Sequence, residues 1–306
     1  MRLILSILLG FTMLSAQTAA FPPSRPDKAL TKQLRALTEG FHGKVGIYVR
    51  HLKSGRTVEI DADSLFPTAS MIKVPILCGV MDKVEKGELR FDSALVFRDS
   101  LIYPGEDITG SLKDSTRIEL SKLVMLMITM SDNTASLWCQ SLAGTGTRIN
   151  QIMEENGFRV TRVNSRTPGR EAMRTQYGWG VTSPREMAEL VARIRDGKMI
   201  APWASERMYR TMARIYWDGE ALSEIPPTVH TASKQGAVDR SRSEVVLVNA
   251  PHGDYVFCVI TKEQEDTSWV NGNEGYVLLR NVSRMLWKHF EPNSQWNSMK
   301  ESGKYH

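Results

Sequence analysis

Apolar residues recur at helical spacing in some stretches of the chain and alternate with polar ones in others. Leu30, Leu34 and Leu37 mark a helix over 26–41. The runs 45–49 and 58–60 flank Leu52-Lys-Ser-Gly-Arg56 and predict a β-hairpin. Helical spacing then dominates the middle, over 70–86, 119–130, 133–143 and 147–156. Residues 158–182 are irregular, rich in Arg, Gly and Thr, and too long for an idle connector, which marks a functional loop. Helices follow at 184–196 and 203–215, then strands at 244–249 and 255–262 joined by Pro251-His-Gly-Asp254, and a long helix over 273–290. Strands at both ends around a helical middle predict an α/β chain of α+β sandwich type. Its antiparallel sheet, built from both termini and flanked by helices, carries an all-helical lobe inserted at about 66–215. The catalytic unit is expected over 21–292, with a polar tail at 293–306.

The first residues read as an export signal. Arg2 precedes an apolar run over 3–14, and Thr18-Ala19-Ala20 offers a cleavage site before Phe21. The run falls short of the ~20 residues that span a bilayer, so the expectation is export to the periplasm or medium without stable membrane insertion. At 42% hydrophobic and 24% charged, the 306 residues exclude a disordered, collagen-like or disulfide-stapled chain. The net charge of +5, or +4 without residues 1–20, is spread along the chain and does not argue for nucleic acid. Cys78, Cys139 and Cys258 sit in apolar contexts, an odd count that predicts buried free thiols. Their spacing fits no zinc site, the six histidines form no His-x-His or His-Glu-x-x-His cluster, and no metal is expected. Gly144-Thr-Gly146 lacks the third glycine and the preceding strand of a dinucleotide fingerprint.

Three segments carry candidate chemistry. Ser70-Met71-Ile72-Lys73 opens an apolar helix, so hydroxyl and amine share one face. A serine becomes a nucleophile when a neighbouring base takes its proton, and a desolvated lysine can do so. Pro75 sits inside this helix and deletes a backbone hydrogen bond, so the element is not chosen for helix propensity. Ser131-Asp132-Asn133 joins two predicted helices; its hydroxyl can shuttle a proton and its amide can bind a carbonyl. Lys234-Gln235-Gly236-Ala237 precedes a strand. Its glycine admits a ligand to the strand edge, the Ala237 N–H suits an oxyanion hole, and Lys234 can hold an anion. In isolation each has an ordinary reading: a polar cap on a core helix, a helix N-cap, and a strand-edge lysine before a turn.

In this order and spacing the three resemble the Ser-x-x-Lys, Ser-Asp-Asn and Lys-Thr-Gly signature of the serine β-lactamase and penicillin-binding superfamily. Phe66-Pro67 and Ile128-Thr-Met-Ser-Asp-Asn-Thr-Ala135 are similar to class A β-lactamases in particular, and the likeness runs from about 30 to 290. The resemblance implies two lobes with the active site in the crevice between them, and no cofactor. It makes Ser70 the acylated nucleophile, Lys73 its base partner and Ser131 the proton relay to the β-lactam or amide nitrogen. Asn133 would bind the acyl side chain, Lys234 the substrate carboxylate, and the N–H groups of Ser70 and Ala237 the oxyanion, beside Gly236. Tyr103 lies where the family places an aromatic at the cleft rim. The implied activity is that of a serine β-lactamase opening the β-lactam amide through an acyl-serine. The alternative is a penicillin-binding protein or cell-wall peptidase or esterase of the same superfamily. The expected partner is a small β-lactam or a peptidoglycan-derived peptide, met by a monomer.

The chain also departs from the pattern. Class A enzymes carry a Glu-Pro-Glu-Leu-Asn loop whose first Glu activates the deacylating water. Here the stretch reads Arg166-Thr167-Pro168-Gly169-Arg170-Glu171, and aligning the prolines puts Thr167, which is no base, at that place. Glu171 falls where the family keeps an Asn that holds the same water, so it is a candidate substitute base; a surface Glu paired with Arg170 or Arg174 is the other reading. The resemblance also raises a cis Thr167–Pro168 bond. Gln235 replaces a hydroxyl residue of Lys-Thr-Gly, with Arg240 or Arg242 as candidates to compensate in carboxylate recognition, and Val238 replaces a small residue and narrows the cleft.

Overall fold

The computed structural model of the chain describes residues 21–105 and 107–298. The predicted export signal at 1–20 and the end of the polar tail lie outside them. A two-residue strand β1 (Arg25–Pro26) leads into helix α1 (Lys28–Thr38), capped by the Asp27 carboxylate on the Leu30 N–H, and then into the hairpin β2 (Lys44–His51) and β3 (Arg56–Ile60). After β4 (Phe66–Pro67) and a 3₁₀ turn at Ala69–Ile72 comes α2 (Lys73–Glu85). The small ribbon β5 (Ala94–Val96) and β6 (Arg117–Glu119) precedes α3 (Leu120–Met125), a π-helical turn at Leu126–Met130, α4 (Asn133–Leu142) and α5 (Thr145–Glu155). Next are β7 (Arg162–Val163), α6 (Glu171–Tyr177), β8 (Gly180–Thr182), α7 (Pro184–Arg195) and α8 (Pro202–Met212). The chain closes with β9 (Thr231–Val238), β10 (Ser241–Val248), β11 (Tyr255–Lys262) and α9 (Glu274–Phe290).

The main sheet has the order β1-β3-β2-β11-β10-β9, antiparallel throughout except for the short β1–β3 pairing. Strands from both ends of the chain thus lie side by side, as the α/β reading expected. Alternation along the central strands divides the apolar core in two. Val245, Leu247, Val256, Cys258 and Ile260 join the cluster formed with α2, α4, α5 and α7. Val246, Val248, Tyr255, Phe257 and Val259 join the cluster under α1 and α9. The three cysteines are buried and unpaired, among the core residues as their contexts predicted. Among the described residues no helix is long and apolar enough to cross a membrane.

Four local differences from the sequence reading have physical causes. The helix expected over 70–86 is split: Ser70 lies in the 3₁₀ turn, and α2 begins at Lys73. Pro75 is therefore the third residue of α2, where the N–H has no intrahelical acceptor to lose, and the proline fits. The helix expected over 119–130 widens into a π turn that stops at Ser131, whose φ of +60° throws the chain out of the helix. Lys234-Gln235-Gly236 does not precede a strand but lies within one, β9. Its polar and small residues hide the strand because it is an edge, paired only with β10. The segment 158–182 is not wholly irregular: it holds β7, α6 and β8, and β8 pairs with β4 just ahead of Ser70.

Candidate active site

Ser70, Lys73, Ser131, Asn133 and Lys234 come from a 3₁₀ turn, a helix start, an interhelical turn and an edge strand, and they meet in one place. Lys73 Nζ is within hydrogen-bond distance of Ser70 Oγ (3.2 Å), Ser131 Oγ (3.1 Å) and Asn133 Oδ1 (2.8 Å), and donates to the Ser131 carbonyl. Lys234 Nζ donates to the same Ser131 Oγ at 3.1 Å. Ser131 therefore bridges two lysines, one of which reaches Ser70. Both lysines are fully buried. Burial brings the Lys73 amine down to about 7, against the opposing pull of Asp107 and Asp132. Burial and the neighbouring Lys73 also hold Lys234 well below the ordinary lysine range.

The turn that presents Ser131 is fixed by two carboxylates. Asp132 caps α4 through the Ala135 N–H (2.7 Å) and accepts from the Thr109 N–H (2.8 Å), while Asp107 accepts from the N–H groups of Asn133 (3.0 Å) and Thr134 (2.8 Å). The backbone ahead of the serine is strained, with Ala69 at φ +44°. Gly236 lets β9 pass close to it: a Cβ there would lie 2.7 Å from the Thr68 carbonyl oxygen and 3.0 Å from the Ala69 Cβ.

Lys234 is already occupied at its outer side. Besides Ser131 it donates to the Gln235 carbonyl (3.1 Å) and to Gln235 Oε1 (2.8 Å). Neither candidate for compensation stands beside it. Arg242 lies on the opposite face of the sheet from Lys234, because β10 alternates and residues 242, 244, 246 and 248 face α9. It is buried there between the rings of Trp269 and Tyr276 and donates to the carbonyls of Val238, Ser241 and Ser268. Arg240 does line the cleft, but its guanidinium donates to the Gln264 and Glu263 carbonyls.

The cleft over Ser70 has a volume of about 550 Å³. Tyr103, Asn133, Ala237 and the exposed Val238 line it together with Gln176, Tyr177, Gly178 and Trp179. Tyr103 meets Trp179 edge to face at 5.1 Å, forming one rim. The 158–182 segment thus contributes a wall, and its aromatics were not singled out from sequence. Tyr177-Gly-Trp179-Gly within a long polar stretch was the available signal.

The part of that segment aligned with the family's deacylating Glu bonds to its own loop and to neighbouring helices and not to Ser70. Gln140 and Ser165 exchange two hydrogen bonds (2.5 and 2.8 Å), and Asn150 does the same with Val163 (2.9 and 2.7 Å), pinning the stretch to α4 and α5. Thr167 is buried, bonds the Ser165 carbonyl at 2.9 Å and packs on Gly146, where a Cβ would fall 1.8 Å from its hydroxyl. Glu171 is exposed at the start of α6 and accepts from the Gly169 N–H at 3.1 Å. It has no bond to Ser70 or Lys73 and does not line the cleft. Nor does it pair with a cation, for Arg170 donates instead to Asn164 (3.0 and 2.8 Å). The Thr167–Pro168 bond is trans; the chain reverses instead at Arg166, with φ +45°.

The sequence model of the Beta-lactamase enzyme family matches residues 29–290. The chain belongs to that family. A β-lactamase of Streptomyces fradiae is 26% identical over 260 residues, covering 82% of this chain and 85% of that protein. The solved structure of PBP-A superposes with a TM-score of 0.79 at 29% identity, covering 89% of this chain and all of that one. A point variant of PBP-A, solved as its acyl-enzyme complex with penicillin G, gives the same TM-score of 0.79 at 28% identity, with 89% and 99% covered. These relatives agree with the α/β fold and with a family of hydrolases and penicillin-binding proteins acting on small molecules.

Proposed function

We propose that this family member is acylated at Ser70 by β-lactams and releases the acyl group slowly, as a penicillin-binding protein does. Ser70 Oγ attacks the lactam carbonyl carbon as its proton passes to Lys73. The C–N bond then breaks, and the proton reaches the ring nitrogen through Lys73 and Ser131, which stand 3.1 Å apart. The N–H groups of Ser70 and Ala237 receive the oxyanion. Asn133 and the Tyr103 rim hold the acyl side chain.

Among the described residues no unpaired carboxylate lines the cleft to serve the second half of the reaction, and this observation carries the reading. Among the described cleft-lining residues the sole carboxylate is Glu263, which is paired with Lys44 at 2.9 Å. Thr167 cannot take a proton from water at neutral pH, and Glu171 faces solvent. General-base help is worth roughly 10²–10⁴ in rate, so its loss favours a lasting acyl-enzyme over turnover. The likeness to PBP-A, a variant of which was solved as an acyl-enzyme with penicillin G, supports acylation by a β-lactam. A chromogenic cephalosporin in excess should give one equivalent of colour per chain followed by a much slower phase. Sustained colour at the initial rate would favour the β-lactamase reading, and no colour with no adduct would point to another acyl donor.

Two further outcomes follow. Glu171→Gln should leave the deacylation rate within about twofold of wild type, since its carboxylate serves the Gly169 N–H; a tenfold or greater loss, measured as adduct half-life, would return Glu171 to the mechanism. Acylation needs the neutral Lys73 amine, brought down to about 7. The rate constant should therefore rise with pH through about 7 and level off above it, as read by stopped-flow acylation. A rate that stays flat from pH 6 to 8 would remove Lys73 as the base.

A further inference from the structure

The anion-holding position beside the nucleophile is filled by the protein itself. Lys234 Nζ has three donors at most, and three acceptors surround it: Ser131 Oγ at 3.1 Å, the Gln235 carbonyl at 3.1 Å and Gln235 Oε1 at 2.8 Å. The Gln235 side chain thus presents an oxygen to the Lys234 amine, the group that the resemblance assigns to a substrate carboxylate. Among the described residues neither arginine that could compensate is bonded there. Arg242 is sealed behind the sheet. Arg240 and Lys262, the cations that line the cleft, bond the carbonyls of Gln264, Glu263 and Leu65, and both act on the Glu263 carboxylate.

We infer that Gln235 replaces the substrate carboxylate as the ligand of Lys234, so that acylation does not depend on a carboxylate beside the reacting amide and acyl donors neutral at that place are accepted. This rests on the acyl-serine reading above and specifies its substrate class. A carboxylate that binds Lys234 must first displace the Gln235 amide, so its net gain is reduced by the hydrogen bond lost. A smaller residue at 235 leaves the ammonium short of an acceptor, and there a carboxylate gains a charge-assisted bond.

The test compares benzylpenicillin with its methyl ester, following acylation of Ser70 by intact mass in wild type, Gln235→Thr and Gln235→Ala. In wild type the two donors should acylate with rate constants within about threefold of each other. In both variants the acid-to-ester ratio should rise to tenfold or more, because Lys234 is freed whether or not a hydroxyl is supplied. A wild-type ratio already above tenfold would overturn the inference, as would a ratio that stays near one in both variants. Failure of acid and ester alike to label folded wild-type protein would overturn the acyl-serine reading and this inference with it. Labelling by both donors with the wrong ratio leaves that reading standing.

Discussion

Lys73→Met is expected to lower the acylation rate by roughly 10²–10⁴-fold, equivalent to about 3–5 kcal/mol of barrier, with little change in melting temperature. Lys73 is fully buried, and its amine is the group within reach of both Ser70 Oγ and Ser131 Oγ. Methionine keeps the length but accepts no proton. Stability is expected to hold because two opposing effects nearly cancel. The Ser131 carbonyl and Asn133 Oδ1 lose a donor, while the cost of burying an amine disappears. Intact mass against time gives the rate, and scanning calorimetry shows whether the loss is chemical. A variant that unfolds early would show Lys73 to be structural; one that acylates at the wild-type rate would show that another group activates Ser70.

Gly236→Val should cost comparably, by a different route. β9 runs against the backbone that presents Ser70. A Cβ at 236 would meet the Thr68 carbonyl oxygen at 2.7 Å, Ser243 Oγ at 2.8 Å and the Ala69 Cβ at 3.0 Å. Ser243 can rotate, but the 68–69 backbone cannot, so strand and turn must separate. A displacement near 1 Å between nucleophile and oxyanion donors costs on the order of 10² in rate, and overpacking of a tight site about 1–3 kcal/mol of stability. Gly236→Ala should show the same loss in weaker form. Acylation kinetics with urea unfolding separate the two effects, and wild-type kinetics in Gly236→Val would mean that β9 does not set the geometry at Ser70.

The fold class was legible because strands with continuous Val, Ile and Phe content frame a helical middle, and this pattern survives in β2, β10 and β11. The gathering of the candidate site residues was legible because their types and order are restrictive: a serine, an amine one helical turn later, and a second hydroxyl beside an amide. β9 was not legible, since an edge strand of small and polar residues lacks the alternation that marks a half-buried one. The direction of Arg242 was hidden for a related reason. The strand read over 244–249 starts three residues after β10 does, so Arg242 fell outside the alternation that fixes its face. Glu171 illustrates a different gap. Aligning prolines placed it near the expected water, but it stands exposed at the start of α6 outside the cleft lining, while Gln140 and Asn150 hold Ser165 and Val163 against α4 and α5. Trp179 joined the cleft through the same long-range packing, by way of β8 pairing with β4.

The claim on which the account turns is the imbalance between forming the ester at Ser70 and hydrolysing it. A pulse of benzylpenicillin followed by rapid removal of free drug, with intact mass taken over time, reads that imbalance directly. One adduct is expected on Ser70, absent from Ser70→Ala, that forms at least 10²-fold faster than it decays. Loss of the adduct as fast as it forms, with many equivalents of opened drug per chain, would contradict it.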